Sequence, residues 1–236
     1  MKKLLAIVFA TASLAAGAAN LVLIGDSTLA RRPANVRIGS WGEALKPLME
    51  AGHGIINRSD GGRTVCSTKK SWPKSLTMIS KGDFVIIQFG INDAGKKRFV
   101  GEEEFKKTLA EFASDVLSKG ATPVICSPVA NAGYAKDAKA DARFKLTPSR
   151  RTYGNYAKSV ADEMKLAFVD MTSLTATELA KVGKDIAHDY YVGPKTKNGK
   201  QTFDTVHPSK TGAKRYAELF VAEVKARKLP VASLFR

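Results

Sequence analysis

Ser27 stands at the end of the run Leu21-Val22-Leu23-Ile24-Gly25-Asp26-Ser27-Thr28, where an apolar strand gives way to a tight turn. A serine hydroxyl placed there serves as a nucleophile when a base takes its proton. Three histidines are available for that work, His53, His188 and His207. His207 closes the segment Asp204-Thr205-Val206-His207-Pro208, 180 residues beyond Ser27. A carboxylate three residues ahead of an imidazole fits within one turn, so Asp204 can hold the ring that activates Ser27. The chemistry this implies is acyl transfer to serine, as in ester hydrolysis. His188 competes, because Asp185-Ile186-Ala187-His188 has the same spacing. That segment falls at a helix end, whereas 204–207 leads through Pro208-Ser209 into a capped helix, which favours His207. His53 precedes a predicted strand with no useful neighbour and is assigned a structural or surface role.

Two further segments suit the charge that develops when an ester carbonyl is attacked. Phe89-Gly90-Ile91-Asn92-Asp93 follows the strongest predicted strand, and the Asn92 amide there can donate to an oxyanion. The same residues would also make an Asn-Asp turn with local hydrogen bonds. Asn57-Arg58-Ser59-Asp60-Gly61-Gly62-Arg63-Thr64 follows another strand, and its paired glycines let a backbone N–H approach a substrate oxygen. A flexible loop would have the same composition.

Elements that deliver these segments to one edge can be placed from the pattern. Strands are expected at 20–24, 53–57, 83–89, 122–127 and 167–170, alternating with helical patterns as in a parallel sheet covered on both faces. A helix over 102–118 carries Phe105, Leu109, Phe112 and Val116 on one stripe, opens on Glu102, Glu103 and Glu104, and closes at Lys119-Gly120. A last helix over 210–227 turns Ala213, Tyr216, Ala217, Phe220, Val221 and Val224 to one side. Residues 128–149 and 183–203 resist regular assignment and, leaving the carboxyl edge of the sheet, are candidates for cleft walls.

Composition narrows the setting. Met1-Lys2-Lys3, the uncharged stretch Leu4 to Ala16 and small residues to Ala19 read as a cleaved signal peptide over 1–19, followed by one domain over 20–236. Export to the periplasm or beyond is therefore expected, and no segment has the length of a membrane span. A 44% hydrophobic content agrees with a globular chain. The net charge of +16 fits either an anionic polymer as partner or a lysine-rich solvated surface, and without a dense basic block interleaved with aromatics a nucleic-acid partner is not expected. Arg58, Arg63, Lys195, Lys197 and Lys200 are the cations that could face the carboxylates of such a polymer. Cys66 and Cys126 have neither metal-ligand spacing nor a catalytic partner, and are read as unpaired.

Gly25-Asp26-Ser27, the Gly62 loop, Gly90-Ile91-Asn92-Asp93 and Asp204-Thr205-Val206-His207 together resemble the four ordered blocks of the SGNH (GDSL) hydrolases. The Gly-Gly-Arg-Thr loop and the Asp-Thr-Val-His-Pro-Ser-Lys-Thr-Gly-Ala ending look most like rhamnogalacturonan acetylesterases and related carbohydrate acetylesterases. The resemblance implies a three-layer α/β/α sandwich with a five-stranded parallel sheet of flavodoxin-like order. It implies Ser27 as nucleophile, His207 as general base and then acid, and Asp204 as orienting carboxylate. It further implies an oxyanion hole from the backbone N–H groups of Ser27 and Gly62 with the Asn92 side chain, and no metal or organic cofactor. Asp26 and Asp93 are assigned turn-shaping roles, and Thr28 replaces the Leu often found after the Gly-Asp-Ser triplet. The expected substrate is an acetylated polysaccharide, pectin before neutral xylan. An exported lysophospholipase or thioesterase, a peptidoglycan O-acetylesterase and a non-catalytic carbohydrate-binding module on the same scaffold are the alternatives.

Overall fold

The computed structural model describes residues 18–132, 146–192, 195–197, 200–202 and 204–236. Five strands, β1 (Asn20–Gly25), β2 (Gly54–Asn57), β3 (Phe84–Gln88), β4 (Thr122–Cys126) and β5 (Ala167–Val169), form an all-parallel sheet in the order β2-β1-β3-β4-β5. All five lie where the apolar runs predicted them, and the order is the flavodoxin-like one.

The inner strands β1 and β3 read as nearly continuous apolar runs because both of their faces are covered. Leu21, Leu23, Ile86, Val124 and Cys126 point to one face, where they meet Trp41, Leu179, Tyr216 and Phe220. Val22, Ile24, Val85, Ile87 and Ile125 point to the other, against Phe105, Leu109, Phe112, Val116 and Tyr153. Helices α3 (Glu102–Ser118) and α4 (Pro148–Glu163) cover the second face, and α5 (Met171–Asp189) and α6 (Lys210–Ala226) the first. The apolar stripe read for 102–118 is the buried face of α3. Short helices α1 (Val65–Thr68) and α2 (Trp72–Leu76) lead from the β2 loop towards β3.

Register is what makes this scaffold useful. Gly25 is paired with Gln88, Leu23 with Asn57, and Gln88 with Cys126, so the carboxyl ends of β1, β2, β3 and β4 stop at nearly one level. Ser27, the Gly62 loop and Asn92 emerge side by side from three neighbouring strands. That edge, beside the point where strand order reverses, is where open α/β sheets bind ligands.

The two irregular stretches resolve in part. Pro148 and Ser149 already belong to the first turn of α4, and 133–145 lie outside the described residues. Of 183–203, the first residues continue α5 past a break at Gly183, and Lys195–Lys197 pairs antiparallel with Lys200–Thr202. Cys66 on α1 and Cys126 on β4 are both free thiols. Among the described residues no helix is long and apolar enough to cross a membrane.

Candidate active site

Beyond β1 the chain turns tightly, with the amides of Leu29 and Ala30 donating to the Asp26 carbonyl at 3.2 and 3.0 Å. This lifts Ser27, 5% exposed, to the sheet edge, while Arg32 Nη2 donates to its carbonyl at 2.8 Å. His207 Nε2 lies 2.9 Å from Ser27 Oγ, and His207 Nδ1 lies 2.8 Å from Asp204 Oδ2. The other carboxylate oxygen of Asp204 accepts from the amides of Val206 and His207, both at 3.0 Å. Burial pushes the Asp204 carboxyl up, but the His207 ring and the His207 and Val206 amides outweigh it and hold the group well below the usual carboxylate range. The three side chains that the spacing singled out are thus one continuous hydrogen-bonded line.

The histidine loop is held from several sides. Gly39 donates to the Pro208 carbonyl at 2.8 Å, Ala132 to Thr205 at 2.9 Å and Val192 to His207 at 3.3 Å. Ser209 caps α6, its hydroxyl accepting from the Gly212 amide at 3.1 Å. The signal that separated His207 from His188 is therefore a real helix start. His188 sits near the end of α5 instead, and His53 bonds the Ala19 carbonyl at 2.9 Å, at the opposite edge of the sheet from Ser27.

Gly62 adopts φ +72°, a conformation L side chains rarely take, and a Cβ there would meet the Arg98 guanidinium at 3.0 Å. Gly90 adopts φ +120°, and its missing Cβ leaves room for Tyr153, whose Cβ would stand 2.7 Å away. Asp93 ties these loops together. Its carboxylate accepts from the Val65 and Gly90 amides, each at 2.9 Å. Burial pushes this carboxyl up to about 6 against those two donors. Asn92 Nδ2 donates to the Arg63 carbonyl at 2.9 Å, and its Oδ1 accepts from Arg98 at 3.4 Å. One Nδ2 hydrogen is used in that bond and the second remains to meet an oxyanion. Replacing Asn92 by Ala is expected to lower kcat about a hundredfold or more, with KM little changed. Turnover of 4-nitrophenyl acetate checks this, and a near-native rate would take Asn92 out of the oxyanion role.

A buried polar chain beneath Ser27 was not read from the sequence. Trp41 Nε1 donates to Gln88 Oε1 at 2.9 Å, Gln88 Nε2 donates to Thr28 Oγ1 at 2.9 Å, and the Thr28 amide and hydroxyl both donate to Asp26 Oδ1 at 2.9 Å. All four residues are fully buried. Thr28, the departure from the usual Leu, is the link between Gln88 and the turn. Burial raises the Asp26 carboxyl, opposed by its Thr28 bonds and by the charges of Arg150 and His207. Arg150, on the first turn of α4 and only 6% exposed, was also missed. A glutamine inside an otherwise apolar strand was the available signal for the chain; Arg150 had none.

The cations expected to face a polyanion fare unevenly. Arg63 pairs with Asp60 at 3.0 Å, and Arg58 Nε points to Ser75 Oγ at 3.5 Å. Lys195, Lys197 and Lys200 lie on the small hairpin, with side chains outside the described residues.

Comparison with known proteins agrees with the fold. The family model of the GDSL-like lipases/acylhydrolases matches residues 23–215, and the chain belongs to that family. It is 26% identical over 206 residues to an uncharacterized esterase, YxiM, of Bacillus subtilis, covering 85% of this chain but 50% of YxiM, so the chain spans half of that relative's length. The crystal structure of YxiM superposes with a TM-score of 0.74 at 24% identity, covering 90% of this chain and 58% of that one. A probable rhamnogalacturonan acetylesterase of B. subtilis, YesY, is 24% identical over 218 residues, 90% of this chain and 95% of its own. Axe2, an acetylxylan esterase of Geobacillus stearothermophilus, shares the fold with a TM-score of 0.62 at 22% identity, covering 89% and 95% of the two chains.

Proposed function

We propose that this protein is an exported serine esterase that removes O-acetyl groups from an acidic cell-wall polysaccharide, pectic rhamnogalacturonan being the favoured case. The observation that carries the proposal is the unbroken line from Asp204 through His207 to Ser27, with both gaps under 3 Å. Ser27 Oγ attacks the acetyl carbonyl while His207 Nε2 takes its proton. The tetrahedral oxyanion is met by the amides of Ser27 and Gly62 and by Asn92 Nδ2. His207 then returns the proton to the departing sugar oxygen, leaving acetyl-Ser27. Water, deprotonated by His207, attacks that ester, and acetate and free Ser27 result. No step draws on a metal or an organic cofactor.

The names of YesY and of further relatives called rhamnogalacturonan acetylesterases support a carbohydrate ester as substrate, and the net charge of +16 supports an acidic one. The leader-like residues 1–19 support export, so that enzyme and polymer would meet outside the cytoplasm.

Acetate release from acetylated pectin, acetylated xylan, 4-nitrophenyl acetate and the corresponding palmitate ester tests the proposal. Turnover of the acetyl esters with pectin ahead of xylan is the expected outcome. Preference for palmitate would move the function to lipid hydrolysis, and xylan ahead of pectin would remove the acidic polymer.

A further inference from the structure

Beside Gly62 opens a groove of about 760 Å³, within the size range of ligand sites. Arg63, Lys96, Lys97 and Arg98 line it, against one carboxylate, Asp60. That carboxylate is already paired with Arg63 at 3.0 Å. Lys96 and Lys97 bond no acid among the described residues, and the Arg98 guanidinium donates to the Asn92 carboxamide oxygen at 3.4 Å rather than to a carboxylate. Phe99 adds a ring that is 70% exposed. A single exposed phenylalanine is ordinary on a surface. Here it sits in the wall of a groove with three cations that pair with no acid among the described residues.

The loop that presents these groups is braced rather than free. The Gly95 amide donates to the Asn92 carbonyl at 2.9 Å, Arg98 to Gly95 at 2.8 Å and Val100 to Asp93 at 3.0 Å. The Tyr153 hydroxyl lies within 2.9 Å of the Asp93 and Val100 carbonyls. Arg98 also packs on Gly62, its guanidinium 3.0 to 3.3 Å from where a Cβ would stand. A ligand held by Arg98 would therefore abut the place where the acyl oxyanion forms.

We propose that this groove is a subsite for a hexuronate unit of the polymer chain that carries the acetyl group, its carboxylate held by Lys96, Lys97 and Arg98 and its apolar ring face laid on Phe99. Arg98 supplies planar paired donors suited to a carboxylate, the lysines supply charge, and the phenyl ring offers flat apolar area to pyranose C–H groups. The inference rests on the esterase function proposed above for its place in a reaction, but the binding can be measured without any turnover.

The experiment uses the full chain carrying Ser27→Ala, titrated calorimetrically at low salt with unacetylated trigalacturonate and with neutral xylotriose. Trigalacturonate is expected to bind about tenfold or more tightly than xylotriose. Adding Lys96→Ala with Lys97→Ala should weaken it about tenfold, about half a decade per partly exposed charge pair lost. Phe99→Ala should weaken it several-fold and Phe99→Trp should not. Equal binding of the two trisaccharides, or no loss in the double lysine variant, overturns the subsite. So does tripolyphosphate binding as tightly as trigalacturonate with Phe99→Ala without effect, which would make the groove a general anion patch. Hydrolysis of 4-nitrophenyl acetate by the unsubstituted protein, run in parallel, separates the two ideas. Hydrolysis without galacturonate binding removes the subsite and leaves the esterase; binding without hydrolysis removes the esterase and the subsite's place in its reaction.

Discussion

Ser27→Ala is expected to lower kcat for 4-nitrophenyl acetate by roughly a million-fold, to within a few thousand-fold of the uncatalysed reaction. The hydroxyl is the nucleophile of the proposed reaction, and it stands 2.9 Å from the nitrogen that takes its proton. What remains in the variant is binding plus the oxyanion donors, which do not depend on Oγ. Because Ser27 and His207 act as one unit, His207→Ala should cost about as much, and the double variant little more than either. Initial rates for the three variants check this. A double variant far slower than both single ones would mean that the two side chains act separately.

The second large effect belongs to Asp204→Asn, expected to lower kcat about ten-thousandfold while leaving the fold intact. The amide oxygen of Asn can still accept from the Val206 and His207 amides, which Asp204 Oδ1 now serves at 3.0 Å each. Its NH₂ would then face His207 Nδ1 and favour the tautomer with the proton on Nε2, which cannot take one from Ser27. Loop geometry survives and chemistry does not. The unsubstituted carboxyl contributes to pH-dependent stability with a definite sign. Held below the usual range in the fold, Asp204 stabilises the protein above the ordinary carboxylate pKa, and that share is lost as pH falls below it. A loss of less than about tenfold in Asp204→Asn would contradict a tautomer-setting role.

Much of this was open to inspection in the sequence because it rests on local causes. Leu21–Ile24 and Phe84–Ile87 are apolar at every position because both sheet faces are covered, so periodicity alone marked them. Asp204 and His207 meet within a single turn, so their spacing sufficed, and Ser209 marked the helix that anchors them. The chain Trp41–Gln88–Thr28–Asp26 joins three separate segments through strand pairing, and no local pattern announces which glutamine will face which turn. Arg150 is buried by the packing of α4 over the strand ends, which its own neighbours in sequence do not encode. Lys96-Lys97-Arg98-Phe99 is too short a basic run to stand out in a chain with 38 Lys and Arg. Its meaning comes from the turn bonds that aim it at Gly62.

The most direct test of the central claim is covalent labelling with diethyl 4-nitrophenyl phosphate, followed by peptide mapping. One diethylphosphoryl adduct is expected, on Ser27, with esterase activity lost in proportion to labelling and no adduct in Ser27→Ala. Full inactivation with the adduct on another residue, or undiminished turnover once Ser27 is completely modified, would contradict it.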